Sequence, residues 1–510
     1  MNKFGSALKV ASIFGLFLIQ DAASNQIIKD WSKILVPQLQ TGSLPYGLNV
    51  KVSIGPDGSF KTESAAGVAS AIAWALPKNE SSNMDLTHFV HPEMREDLPV
   101  GKWLRSRKSL GVSMSGGGMR AATCALGWLH ALNSAGILNK ARYISCKSGG
   151  SWVNLPLSAK DILTKKDSQV DLDFTKYLGD YVAPENVSLG KKELGIIGQI
   201  LADANINREK NIDTKDTRFT GWISRIDNEY VKPFNISNTP DFYLDIGNAM
   251  LWNENPNRLS EKRFPFTICA GTAYPYPDSS KEVVQAFIPF EFTPLYCGVP
   301  INPKQVNDKL FTVEGGFTQS LSFNTEVKQA PPAQSTNGSY IVELPLPKKV
   351  LKVAEISGIS SSAGAVSLVA GPEQMSGMMK AIKPFLPKQY SGLMDSAKYN
   401  FWSPTSGGPS QTFGFFDGCL YDNSGTIALL RRGCKTVICC VAVDSDVDNK
   451  NGVENTWYDF ANLFVASTTT NFDEVVLSTY NEMNQVFERN KWDELIKEFR
   501  EKVSSLCTLP

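Results

Sequence analysis

Residues 108–157 constrain the fold more than any other stretch of this 510-residue chain. Residues 110–114 form a short apolar run, followed at once by Ser115-Gly116-Gly117-Gly118. Apolar positions then recur at Ala122, Ala125, Leu126, Leu129 and Leu132, the i, i+3, i+4, i+7 spacing of a helix with one buried face. Gly136 is a fitting stop for that helix. Residues 143–146 are a second apolar run, ended by Lys147-Ser148-Gly149-Gly150. A strand, a glycine loop, a helix and a strand make a βαβ unit, which predicts a parallel sheet covered by helices. The expected fold class is therefore α/β, a three-layer sandwich around a central, mostly parallel sheet.

Further strand-like runs fall at 264–270, 283–292, 340–344, 412–416 and 436–443. Residues 158–262 are more polar and read as an insertion over the sheet. At the end, residues 472–506 carry Trp492, Leu495, Ile496, Phe499 and Val503 at helical spacing, an amphipathic helix packed on the domain. The expected organisation is an N-terminal segment at 25–105 packed on a main α/β domain at 106–445, with a C-terminal helical extension at 446–510. Residues 1–24 read as a secretory leader. Lys3 and Lys9 precede an apolar run at 10–19, and Ala22-Ala23-Ser24 offers a small-residue cleavage site. A secreted or lumenal location is the expectation, with a cytoplasmic, peripheral membrane protein as the alternative. Sequons at Asn79, Asn186, Asn235 and Asn337 agree with the first but are common by chance. Of nine cysteines, Cys146, Cys419, Cys439 and Cys440 sit in apolar, strand-like surroundings and read as buried thiols rather than disulfides.

Charge excludes some functions. The chain has 51 Lys+Arg against 51 Asp+Glu, so no broad basic field exists to hold a nucleic acid or an anionic membrane. The glycine loop suggests one chemistry and then denies it. Gly116-Gly117-Gly118-Met119-Arg120-Ala121 fits a loose dinucleotide fingerprint, which needs an acidic residue about 20 positions on for a ribose hydroxyl. No Asp or Glu lies between Asp97 and Asp161, so no cofactor is expected. Backbone N–H groups at a helix N-terminus still make an anion site, suited to a phosphate or a developing oxyanion. Arg120 in the first turn makes sense beside an anionic ligand; the competing reading is a solvated arginine in a tight turn.

Cys146-Lys147-Ser148-Gly149-Gly150 nearly matches the G-x-S-x-G elbow, in which a sharp strand-to-helix turn exposes a nucleophilic serine. The preceding glycine loop is then a natural oxyanion hole. The base is decided by the histidine count. His88, His91 and His130 all precede Ser148, so the order Ser, acid, His is impossible, and His130 on the helix reads as a packing residue. The order His, acid, Ser would need His88 or His91 with an acid before Ser148, so a Ser-His-Asp triad is not expected, and an activated serine can use a carboxylate directly instead. The run at 412–416 delivers Asp417 into Gly418, although Asp-Gly alone is also a common hairpin turn.

These motifs resemble a known family. The stretch Gly111-Val112-Ser113-Met114-Ser115-Gly116-Gly117-Gly118-Met119-Arg120-Ala121, then Ala135-Gly136-Ile137-Leu138, then Lys147-Ser148-Gly149-Gly150-Ser151-Trp152 resembles the catalytic domain of cytosolic phospholipase A2 and fungal phospholipase B. Phe290-Glu291-Phe292-Thr293-Pro294 and Asp417-Gly418-Cys419 with Asn423 are similar to two further segments of that family. The resemblance implies a patatin-like fold with Ser148 as nucleophile and Asp417 as base. It implies an oxyanion hole from Gly116, Gly117 and Gly118, with Arg120 on the lipid phosphate. It further implies a phospholipid or lysophospholipid substrate met at a membrane or micelle surface, no nucleic-acid partner and no calcium-dependent lipid-binding module. Two departures stand out: Cys146 replaces the first elbow glycine and Cys419 replaces a glycine after the aspartate. A non-catalytic lipid binder and an acyltransferase are the alternatives. Two motifs are set aside. Asp444-Ser445-Asp446-Val447-Asp448 lacks the glycine and glutamate of a calcium loop, so no metal is expected. Ser360-Ser361-Ser362 reads as structural.

Overall fold

The computed structural model describes residues 16–20, 52–54, 60–62, 68–76, 90–95, 99–163, 223, 226–234, 264–275, 288–300, 315–328, 339–345, 351–362, 398–405, 407–442, 491, 494, 497 and 498. The βαβ unit forms as its sequence predicts. Strand β5 (Lys108–Met114) leads through the glycine loop into helix α2 (Gly118–Ser134) and on to β6 (Ala141–Cys146). The five helical positions picked out by spacing are all buried. Gly136 ends the helix with φ of 63°, and Ile137 N–H then returns to the Leu132 carbonyl at 2.9 Å, closing a Schellman cap. His130 differs from its reading, because it lies on the exposed face of α2. Position 130 follows Leu129 by 100° around the helix and so turns away from the buried stripe.

The sheet centre is parallel. Strand β14 (Thr436–Cys440) pairs with β5, β5 with β6, and β6 with β7 (Phe266–Pro275), all parallel. Its two faces are both covered, as the alternation of side chains shows. A side chain at Gly111 would meet Leu429 of a helix at Thr426–Arg431, and Ser113 lies beside Gly425 on the same face. Met114 points the other way and approaches Gly150, where helix α3 (Ser151–Leu163) begins.

Beyond β7 the pairing becomes antiparallel. The strands β8 (Ile288–Phe292), β9 (Cys297–Val299), β10 (Gly316–Thr318), β4 (Val68–Trp74) and β11 (Ser339–Pro345) continue the sheet in that order. The expectation of a mostly parallel sheet thus holds for the centre and not for this wing. Four residues separate β8 from β9, far too few for a crossover helix. Thr293 N–H and Oγ1 instead close that turn on the Tyr296 carbonyl at 2.9 and 2.8 Å. Strand β13 (Gln411–Asp417) runs antiparallel to β7 and brings Asp417 opposite Gly271. Leu16–Gln20, which overlaps the apolar run of the segment read as a leader, pairs antiparallel with β14. Phe290, Phe292, Phe323, Phe401 and Phe415 stack in tilted and edge-to-face contacts at 4.9 to 6.4 Å and fill the core beside β8.

Among the described residues every cysteine is a free thiol. Cys146, Cys439 and Cys440 are buried on strands as expected, whereas Cys419 heads a turn of helix at Cys419–Asp422 and is half-buried. Burial pushes the thiols of Cys297 and Cys434 up to about 12 and that of Cys439 to about 11. Brief native alkylation near pH 8 is therefore expected to mark Cys124 and Cys419 first of the described thiols, with the buried ones reacting only after denaturation; peptide mapping by mass spectrometry checks this. No described helix is long and apolar enough to cross a membrane. The C-terminal stripe, the calcium-like loop and most of 158–262 lie outside the described residues.

Candidate active site

The carboxyl ends of β5 and β6 deliver two loops to one place. From β6 the chain enters a short 3-10 turn at Ser148–Gly150 and then α3, a sharp strand-to-helix elbow. Ser148 takes φ of 46°, the left-handed region that a residue with a Cβ occupies only under constraint. The Ser151 hydroxyl donates to the Ser148 carbonyl at 2.6 Å and fastens the turn to the helix. Gly149 is required by close approach, since a Cβ there would stand 1.9 Å from the Gly118 carbonyl oxygen. The elbow and the glycine loop are thus in backbone contact.

Asp417, at the end of β13, meets the elbow from the other side. The Ser148 hydroxyl donates to Asp417 Oδ2 at 2.9 Å, and Cys419 N–H donates to Oδ1 at 2.8 Å. Thr272 of β7 donates to the Asp417 carbonyl at 2.9 Å, so Asp417 is held at backbone and side chain. Gly418 has φ of −66°, which excludes the hairpin turn that Asp-Gly also suggests. Asp417 is fully buried, and that burial raises its pKa above the ordinary carboxylate range. The bonds from Cys419 and Ser148 and the charge of Lys147 oppose the rise without cancelling it.

A buried ion pair ties these loops together. Lys147, next to Ser148, reaches Asp422 at 3.3 Å, both side chains 1% exposed. Asp422 also accepts from Ser424 Oγ at 2.6 Å, Gly425 N–H at 3.0 Å and Ile427 N–H at 2.9 Å. Neighbouring Asn423 accepts the Gly116 N–H at 3.3 Å. Of the three glycine donors expected for an oxyanion hole, that of Gly116 is thus already engaged by Asn423. Gly117 carries φ of 130°, open to glycine alone, and precedes α2, whose first-turn N–H groups have no intrahelical acceptor. Ser115 anchors this loop to β14, with Ala442 N–H donating to its hydroxyl at 2.8 Å. Arg120 is half-buried, and its guanidinium lies 3.5 Å from where a Gly117 Cβ would stand.

Of the described histidines, His91 and His130, neither takes the Ser148 hydroxyl proton, which goes to Asp417. His91 is buried against Phe317, ring centroids 6.1 Å apart, where burial and then Arg432 and Arg431 hold its pKa well below the usual value. Sequence reasoning missed one contact of Ser148. Ser360, in the serine run read as structural, accepts the Ser148 N–H on its hydroxyl at 2.9 Å. The signal was the serine run itself, but nothing local says which of the three hydroxyls leaves its helix.

A serine hydroxyl bonded directly to a buried carboxylate, beside a helix N-terminus and an arginine, is equipped for covalent acyl transfer without an imidazole. Comparison with known proteins finds likeness over a limited span. The chain is 32% identical to Lysophospholipase 2 of Candida albicans over 117 residues, 21% of this chain and 19% of that protein. Human GIVD cytosolic phospholipase A2 covers 73% of this chain and 55% of its own at 13% identity, with a TM-score of 0.33. No protein-family model matches the chain.

Proposed function

We propose that the protein is a lipid acyl hydrolase of the phospholipase A2 or lysophospholipase type. The observation that carries this reading is the 2.9 Å bond from Ser148 Oγ to Asp417 Oδ2, made inside the fold at an elbow in contact with a glycine loop. Asp417 takes the Ser148 proton as Oγ attacks the ester carbonyl carbon of a glycerophospholipid. The Gly117 and Gly118 N–H groups receive the oxyanion, and Arg120 receives the lipid phosphate. The carbonyl–oxygen bond to glycerol then breaks, and Asp417 returns its proton to the leaving alkoxide. Water, deprotonated by the same carboxylate, splits the acyl-serine and frees the fatty acid and Ser148. The 117-residue match to a protein named as a lysophospholipase supports this substrate class. The ester lies at a bilayer or micelle surface, so the protein works as a peripheral enzyme, and the leader-like start favours a secreted or lumenal setting.

Capture by a fluorophosphonate tests the reading. The expected result is stoichiometric labelling of wild type at Ser148, hydrolysis of a phospholipid or lysophospholipid ester, and loss of both in a folded Ser148→Ala protein. A folded wild type that neither labels nor hydrolyses is a lipid binder and overturns the reading. Product released onto an added alcohol instead of water marks an acyltransferase.

A further inference from the structure

We propose that Ser360 is a positioning residue for acyl transfer, an inference that rests on Ser148 and Asp417 being the reacting pair. Ser360 ends the helix at Val353–Ser360 and is wholly buried. Its hydroxyl proton goes to the Ala270 carbonyl on β7 at 2.7 Å. With that proton committed, the oxygen presents a lone pair, and the Ser148 N–H donates to it at 2.9 Å. The polarity of the chain is therefore fixed from Ser148 N–H through Ser360 Oγ–H to Ala270 C=O. At its main chain the same residue accepts the Gly418 N–H at 3.2 Å, immediately after Asp417. One residue thus grips the backbone of the nucleophile with its side chain and the backbone following the base with its carbonyl.

The grip matters because of the backbone it holds. Ser148 sits at φ of 46°, a conformation that relaxes unless its surroundings over-determine it. A rotation there swings Oγ away from Asp417 Oδ2 and lengthens the one bond through which the serine is activated. The adjacent serines do nothing comparable. Ser361 Oγ donates to the Ser357 carbonyl at 2.6 Å and Ser362 Oγ to the Ile359 carbonyl at 2.9 Å, both within their own helix end. They are built-in controls, since each loses a buried hydroxyl bond on truncation without touching the dyad.

The test compares Ser360→Ala with Ser361→Ala, using the full chain and one phospholipid ester. Ser360→Ala is expected to lower kcat and the fluorophosphonate labelling rate together by about thirtyfold, within the range of a misplaced reacting group, with KM unchanged. Ser361→Ala should lose comparable stability and keep wild-type kcat. Ser360→Thr, which keeps the hydroxyl, should recover most of the rate. If the alanine variant does not fold, Ser360→Cys, of similar shape but a far weaker acceptor, reports the same split. A folded Ser360→Ala or Ser360→Cys with the kcat of Ser361→Ala overturns the inference alone. A wild type that neither turns over ester nor labels at Ser148 overturns the functional reading and this inference with it.

Discussion

Asp417→Asn is expected to lower kcat by about 10^4-fold or more, the scale on which removing a member of a catalytic unit acts, and to leave the protein at least as stable as wild type. The shape is kept. An asparagine Oδ1 still accepts the Cys419 N–H, and the amide NH2 occupies the place of Oδ2 against Ser148. What is lost is the acceptor for the Ser148 proton, because an amide donates where the carboxylate received. The stability follows from the same burial. Asp417 binds its proton more tightly folded than unfolded, so the folded state holds more protons between the ordinary Asp range and the raised value. Wild-type stability therefore falls as pH rises through that window, while activity rises as the base ionises. In Asp417→Asn both dependences disappear from the window. Measuring kcat and thermal midpoint against pH for the two proteins decides it, and an asparagine variant retaining a hundredth of the wild-type rate would place the base elsewhere.

The site was legible to the extent that its chemistry is local or exclusive. Ser148 and the glycine loop announce themselves because tight backbone contact demands glycines at neighbouring positions, and Gly149 shows why, with the Gly118 carbonyl where a side chain would be. The absence of histidine after Ser148 pointed only to a carboxylate, and the resemblance to a known family singled out Asp417 among the carboxylates. Strand direction was less legible. An apolar run has no polarity, and the antiparallel wing was signalled only by the four-residue connection after Phe292. Hidden altogether were partnerships between distant buried polar groups. Ser360 stands 212 residues from Ser148, and its run has the composition of a helix cap, which two of its serines indeed serve. The Lys147–Asp422 pair and the cluster at Arg432 were hidden for the same reason, because charge in a sequence reads as surface until a partner is seen.

That cluster carries the largest stability effect. Arg432→Leu is expected to cost about 3–5 kcal/mol, the range for breaking a buried ion pair from one side, read as a lower urea midpoint. Arg432 joins segments far apart in sequence. Its Nε donates to Glu93 Oε1 at 2.8 Å and Nη2 to Glu291 Oε2 at 2.7 Å. Nη1 shares its protons between Glu291 Oε1 and the Ala428 carbonyl, and Nη2 also reaches the Tyr296 hydroxyl at 2.8 Å. All five guanidinium protons are thus used, and Tyr296 in turn donates to Glu93 Oε2 at 2.6 Å. Leucine removes the cation but leaves two carboxylates with no access to water, and their desolvation rather than the lost attraction sets the cost. The two explanations part on the combined variant. If attraction dominated, replacing Arg432, Glu93 and Glu291 with apolar residues and Tyr296 with Phe would be worse than Arg432→Leu alone. If stranded charge dominates, that variant recovers most of the loss, which is the expected result. The cluster then serves to fix how the segment at Glu93 docks on β8 and on the helix before Arg432, since a charged pocket accepts one geometry where an apolar one accepts several.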